Sequence, residues 1–220
     1  KYSLIKYPGE YEIEVLLDEF LNVSPFHMTM YSFENLDDGQ ISLNCEYLIP
    51  APDYYNNHLG KDDLINVIEA GKFYLECALG LYHLHLAGWV HSDVSPGNIG
   101  FSRRNGVWKL LDFGHAYPVE ASLNSKRKAG TRGYRDPKAE ATGIFTTLSD
   151  FQSLRLVFDE SWTGLNYELA DGDSDIEDCF ITIQDIIKDR YLQPLQLFIE
   201  LAYYLKRLVK NSTLGKALLK

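Results

Sequence analysis

The stretch from Asp63 to Leu86 repeats apolar residues at helical spacing, then passes directly into a polar loop and two short strand-like runs. Leu64, Val67, Ile68, Gly71, Leu75, Ala78, Leu79 and Tyr82 share one face of the expected helix, and Gly88 follows as its terminator. Asn98–Ser102 and Val107–Leu111 read as strands joined through Arg104-Asn105-Gly106, because Asn-Gly is the preferred two-residue hairpin turn. A long helix beside a small hairpin must bury its apolar face in mixed layers, which makes the chain α+β.

The rest of the chain extends this pattern. Ser3–Lys6 reads as a short strand broken by Pro8-Gly9, and Glu10–Leu21 as an amphipathic helix. Residues 27–34 and 41–48 read as paired strands around Asp37-Asp38-Gly39, and Pro50-Ala51-Pro52 as a hinge. A polar segment spans 117–133. Helices are expected over Thr147–Ser161, Asp175–Lys188 and Leu195–Val209, with the acidic stretch Asp171–Asp178 as a solvated loop. The front is strand-rich and the back helix-rich.

Composition narrows the function classes. At 220 residues and 45% apolar, with 15 Tyr and 11 Phe, the chain has the means for a core and is not a disordered tail. A net charge of -10 argues against nucleic acid as a partner. No apolar run approaches the ~20 residues of a membrane span, and no signal peptide opens the chain. Cys45, Cys77 and Cys179 lie far apart without metal spacing and read as small core residues. Together these lead to the expectation of an intracellular, cytoplasmic protein. Because the chain opens on Lys1, further residues are expected in front of it.

The chemistry concentrates between Trp89 and Gly114. An aspartate on a loop (Asp93), an asparagine five residues on (Asn98) and a second aspartate after the hairpin (Asp112) put three oxygen donors at one end of a small sheet. Asp93 can accept a hydroxyl proton, while Asn98 and Asp112 can hold Mg²⁺ against a triphosphate. Each residue alone reads as a cap or turn. The joint spacing points to phosphoryl transfer.

In these motifs the sequence resembles the protein kinase catalytic core. LGLYHLHLAGWVHSDVSPGNIGF (79–101) is similar to the end of that family's long helix and its catalytic loop, and KLLDFG (109–114) to its metal-binding turn. GTRGYRDP (130–137) is similar to the end of its activation segment, and Asp150 to the aspartate that anchors the catalytic loop by its backbone. The resemblance implies a two-lobe fold over one domain, residues 1–220. A reduced N-terminal lobe would cover 1–49 and a mainly helical C-terminal lobe 50–220. It implies Asp93 as catalytic base, Asn98 and Asp112 as Mg²⁺ ligands, and Thr131 as organiser of the base. Cys45, Glu46, Tyr47 and Leu48 would be the gatekeeper and hinge that grip adenine. Lys6 would hold the ATP phosphates, with Glu12 as its helix partner. Glu10 or Glu14 are alternative partners, and an ordinary exposed Lys6 is the alternative reading of that residue.

The pattern departs from the family in four places. No Gly-rich loop precedes Lys6. Only a few residues separate Lys6 from Glu12. Ser95 stands where most serine/threonine kinases carry a lysine that steadies the transferring phosphate, though RIO-type atypical kinases also have Ser there. Losing one such donor corresponds to about 3 kcal/mol, or ~10² in rate, and Lys128 or Arg132 are candidates to replace it. Ser92 stands in place of the arginine that pairs with a phosphorylated activation loop, which reduces the role of phosphorylation at Ser122 or Ser125. Asp136 and Lys138 also replace the family's Ala and Glu around Pro137.

The implied function is an ATP- and Mg²⁺-dependent kinase acting on Ser/Thr hydroxyls of a protein substrate. Thr131 favours that acceptor over Tyr. A pseudokinase that binds or scaffolds without turnover is the alternative. A small-molecule phosphotransferase stands third, because such enzymes lack both the Asp-Phe-Gly and the Gly-Thr-x-x-Tyr segments.

Overall fold

A computed structural model describes residues 2–6, 24–36, 41–59, 62–122, 126–169, 174–189 and 194–211. The helix expected over 10–21, with Glu12, and the turn at 37–39 lie outside them, as do Ser125 and the side chain of Lys6.

The front of the chain forms an antiparallel sheet from β1 (Tyr2–Lys6), β2 (Met30–Asn35) and β3 (Ile41–Cys45), in the order β1-β3-β2. Lys6 ends β1 opposite Ile41. Leu43 and Cys45 of β3 are fully buried, with Met28 and Met30 packed on them. The chain reaches this sheet along residues 24–29, which run beside the second hairpin strand. Met28 N–H donates to Leu110 O at 2.9 Å, and Leu110 N–H donates to Phe26 O at 2.8 Å. Buried His27 donates from Nε2 to Gly80 O at 2.7 Å. The sequence places residues 27–29 in a strand spanning 27–34, whereas β2 begins only at Met30.

After β4 (Ile49–Pro50) comes α1 (Ala51–His58), where the sequence suggested a hinge. The prolines mark a helix start instead, since the first turn needs no N–H from Pro52. Tyr54 and Tyr55 of α1 pack on Trp108, with centroids 4.7 and 5.9 Å away.

The central element is α2 (Asp63–Leu86), whose bounds match the expected helix. Asp62 caps it by accepting from Ile65 N–H at 3.1 Å, and Gly88 leaves it at φ 86°. Its burial is broader than the predicted stripe. Ala70, Phe73, Tyr74, Cys77, Leu81 and Leu84 are fully covered, whereas Ile68, Leu75, Leu79 and Tyr82 sit at the margin. The reason is its surroundings: α5 (Thr147–Leu169), α6 (Ser174–Lys188), α7 (Pro194–Asn211) and the hairpin all pack on it. At Gly71 an added Cβ would lie 2.5 Å from Leu205 Cδ2, so α7 approaches the bare backbone.

β6 (Ile99–Ser102) and β7 (Val107–Leu110) form the hairpin, and β4 pairs with β6. The connection is four residues with only Gly106 at positive φ, not the two-residue Asn-Gly turn expected. Gly106 N–H closes it on Ser102 O at 2.8 Å. β5 (Trp89–Val90) pairs with β8 (Tyr117–Pro118), followed by α3 (Val119–Ser122) and α4 (Pro137–Thr142). α5 continues past the expected Ser161 to Leu169. α6 matches the expected Asp175–Lys188 to within one residue, and so takes in part of the acidic stretch also expected as a loop. Asp175 and Glu177 lie in its first turn, where negative charge meets the positive end of the helix dipole. None of the three cysteines is in a disulfide among the described residues, and Cys45 and Cys77 are buried.

One half-buried acid makes a stability prediction. Glu76 on α2 accepts from Trp108 N–H at 2.8 Å. Burial pushes its pKa up to about 7, outweighing the Trp108 bond and nearby Lys72. A carboxyl raised on folding gives stability that is complete below its unfolded value of 4.5 and lost as pH rises through about 7. Glu76→Gln keeps an acceptor for Trp108. It is expected to exceed wild type in stability above neutral pH by up to about 3 kcal/mol and to match it in acid. Denaturant titrations across pH check this; parallel pH profiles would contradict it.

Candidate active site

The loop after β5 is built around a buried carboxylate. Asp150, on the first turn of α5 and 2% exposed, accepts from His91 N–H at 2.8 Å and from Ser92 N–H at 2.9 Å. His85 Nε2 lies 2.8 Å from the same Oδ2. These bonds hold Ser92 in the left-handed region at φ 66°, where a residue with a Cβ is strained. His91 is fully buried, donates from Nε2 to Leu111 O at 3.1 Å and accepts at Nδ1 from Asp93 N–H at 3.3 Å. It therefore joins the loop to the end of the hairpin.

Asp93 projects from this frame and has two sets of donors. Its Oδ1 accepts from Thr131 N–H at 2.7 Å and Thr131 Oγ1 at 2.8 Å. Its Oδ2 accepts from Asn98 Nδ2 at 3.1 Å, and the same nitrogen donates to Asp93 O at 2.8 Å. Thr131 arrives from a distant segment, and Gly130 makes that possible. Gly130 has φ 82°, and a Cβ there would lie 3.0 Å from Ser92 O.

Asn98 closes the turn Pro96–Asn98, and its carbonyl accepts from Leu111 N–H at 2.9 Å. Asp112 is therefore one residue past the strand position facing Asn98. Asp112 takes φ 56°, ψ 75°, and its Oδ1 accepts from Gly114 N–H at 3.3 Å. Phe113 behind it is buried between His27 and His91, each with its centroid 5.3 Å away. With its nitrogen turned to Asp93, Asn98 has Oδ1 left without a donor among the described residues. An amide oxygen and a carboxylate are hard donors that suit Mg²⁺, which takes few protein ligands and completes its shell with water and phosphate. The pair fits that ion. No cluster of three or more His, Cys, Asp or Glu able to hold a metal occurs among the described residues.

The residues expected as gatekeeper and hinge lead from the end of β3 to β4. Cys45 is buried in β3, Tyr47 is exposed, and Leu48 is buried. Glu46 turns inward at 6% exposure. It meets Lys109 Nζ at 2.6 Å and accepts from Ser102 Oγ at 2.5 Å, while its N–H is taken by Thr29 O at 2.8 Å. Only its carbonyl is left for an adenine. Burial opposes its ionisation, but the bonds from Lys109 and Ser102 outweigh it and hold its pKa below the ordinary carboxylate value. Sequence reasoning missed Lys109, 1% exposed: β7 buries Trp108, Lys109 and Leu110 in succession, so no alternation marked it.

Ser95 is 4% exposed, its carbonyl accepts from Asn98 N–H at 3.0 Å, and its hydroxyl bonds to no described residue. Lys128 and Arg132 are exposed and form no ion pair with Asp93 or Asp112. Asp136 caps α4 by accepting from Ala139 N–H at 2.9 Å, and Lys138 is exposed.

A loop carboxylate steadied from a remote segment, beside a hard-oxygen pair, is the arrangement that the sequence resemblance implied. Comparison with known proteins agrees. The protein kinase domain model matches residues 11–212. The chain therefore belongs to the protein kinase domain family. It is 28% identical over 145 residues to a probable serine/threonine-protein kinase of Dictyostelium discoideum, covering 63% of this chain and 8% of that protein. It is 29% identical over 120 residues to mitogen-activated protein kinase p38b of Drosophila melanogaster, covering 50% of this chain and 32% of the relative. The chain thus spans less than a third of the first and about a third of the second. A chain of the yeast RNA Pol II CTD kinase CTDK-1 complex superposes with TM-score 0.60 at 19% identity, over 73% of this chain and 54% of that one, and shows a shared fold. No helix among the described residues is long and apolar enough to cross a membrane.

Proposed function

We propose that this chain transfers the γ-phosphoryl of Mg-ATP to Ser or Thr hydroxyls of a protein. The observation that carries the reading is the arrangement of Asp93. One carboxylate oxygen is pinned by both donors of Thr131 and the other by Asn98, with Asp112 next to the strand position that faces Asn98. A carboxylate fixed by three hydrogen bonds is oriented to take a proton from an incoming hydroxyl. Asn98 Oδ1 and Asp112 would hold the cation, and the Glu46 carbonyl with the backbone of Tyr47 and Leu48 would meet the adenine. When bound, Mg-ATP supplies the transferable group, and the ion neutralises charge building on its oxygens. The pairing of Lys6 with Glu12 on the phosphates belongs to the same reading. The serine and threonine kinases among its relatives favour those acceptors over Tyr.

One observation favours the second reading, a nucleotide-binding module without turnover. Ser95 is buried and uncharged, and the side chains of Lys128 and Arg132 make no ion pair or hydrogen bond with any described residue. Incubation with radiolabelled ATP and a degenerate mixture of Ser, Thr and Tyr peptides separates the two. Label on Ser or Thr, lost on omission of Mg²⁺, is the expected result. Mg-ATP binding without label on any peptide would leave the module reading.

A further inference from the structure

The segment ending at the active site reverses the charge of the rest of the molecule. Between Lys126 and Glu140 it carries Lys126, Arg127, Lys128, Arg132, Arg135 and Lys138 against only Asp136 and Glu140, in a chain of net charge -10. Two of these cations are committed internally. Arg127 lies 4.1 Å over the Tyr117 ring and donates to His115 O at 3.1 Å. Arg135 donates from Nε to Gly130 O at 2.8 Å and lies 3.6 Å from Glu140. The side chains of Lys126, Lys128, Arg132 and Lys138 are exposed and make no ion pair or hydrogen bond with any described residue.

The backbone presenting them is held in place. Arg127 N–H donates to Gly143 O at 2.8 Å, and Tyr134 N–H to Thr131 O at 3.2 Å. Asp136, the first acid along this segment, is occupied in capping α4. Arg132 directly follows Thr131, which grips Asp93, so the positive strip borders the carboxylate that would receive the acceptor's proton.

Resting on the kinase reading above, we propose that this strip selects acceptor peptides carrying anionic groups near the hydroxyl, either Asp and Glu carboxylates or an existing phosphoryl group. The charge works in both directions. It attracts an acidic segment to a positive edge of an acidic molecule, and it repels an acceptor flanked by Lys or Arg. The expected preference for acidic over neutral peptides is about tenfold to a hundredfold in kcat/KM, falling with ionic strength.

Two readouts test this on the wild-type chain and on the charge reversals Lys128→Glu/Arg132→Glu and Lys126→Glu/Lys138→Glu. The first is phosphoryl transfer to Ser peptides with Asp, Glu, phosphoserine, Ala or Arg placed at each neighbouring position. The second is fluorescence anisotropy of the same labelled peptides at low and high salt, which needs no turnover. Support is a preference for anionic peptides that shrinks or inverts in both reversals. The Asp, Glu and phosphoserine arms identify the preferred anion. Transfer with equal use of acidic, neutral and basic peptides overturns the inference and leaves the kinase reading standing. Salt-sensitive binding of anionic peptides, lost in the reversals but without transfer to any of them, supports the strip and counts against the kinase reading. Equal competition by a single-stranded oligonucleotide would show a general polyanion surface and overturn peptide selection.

Discussion

Asp93→Asn is expected to slow phosphoryl transfer by about 10²- to 10⁴-fold, the usual contribution of a positioned general base. The replacement is nearly isosteric, so the loop and the position of Thr131 should survive. The amide cannot accept a hydroxyl proton. Its nitrogen must also face either Asn98 Nδ2 or the two donors of Thr131, each of which now meets the carboxylate. Asn98 Oδ1 and Asp112 are untouched, so Mg-ATP affinity should stay within roughly a few-fold of wild type, since the loss falls on an interaction made in the transition state. Single-turnover transfer and a nucleotide titration on the same preparation measure the two effects separately. Equal transfer by wild type and variant would remove the base from Asp93.

Asp150→Ala carries the second large effect, on stability and activity together. The substitution leaves the buried N–H groups of His91 and Ser92 without acceptors and frees the ring of His85. An orphaned buried donor costs about 1–3 kcal/mol, so the two N–H groups together predict a loss of about 4 kcal/mol. In a chain of this size that lowers Tm by roughly 8–16 °C. Nothing would then hold Ser92 at φ 66°, and the loop that aims Asp93 should relax. Transfer should fall even at temperatures where the variant is folded. Asp150→Asn keeps one acceptor and should lose about half as much stability. Denaturant unfolding of both variants, with transfer assayed well below their midpoints, checks the order. A loss under about 1 kcal/mol for the alanine variant would contradict this account of the loop.

The site was more legible than the scaffold around it, for a physical reason. Asp93, Asn98 and Asp112 are brought together by a loop, one turn and a hairpin, all local in sequence, so spacing alone nearly fixes their geometry. Thr131 was legible only through the resemblance, because its approach depends on Gly130 crossing the Ser92 carbonyl. Contacts between distant elements left no periodic trace. The Glu46–Lys109 pair joins the expected hinge to β7, yet each residue reads alone as an exposed charge. His27, bonded to Gly80 across the base of the sheet, was hidden in an apparent strand. α1 was missed because prolines that start a helix look the same as prolines that break a chain. The buried face of α2 was drawn too narrow, since one amphipathic stripe was assumed for a helix covered by three others and a hairpin.

The central claim is that Asn98 and Asp112 make this chain a Mg²⁺-dependent ATP site. A thermal-shift titration with ATP, with and without Mg²⁺, on wild type and Asp112→Ala tests it most directly and needs no acceptor. Ligand at 100 times its dissociation constant adds ~2.7 kcal/mol, which raises Tm by roughly 5–10 °C for a chain of this size. The predicted result is a shift of that size with Mg²⁺ present, much reduced without it and lost in Asp112→Ala. No shift in the folded wild type, or the same shift in Asp112→Ala, would contradict the site.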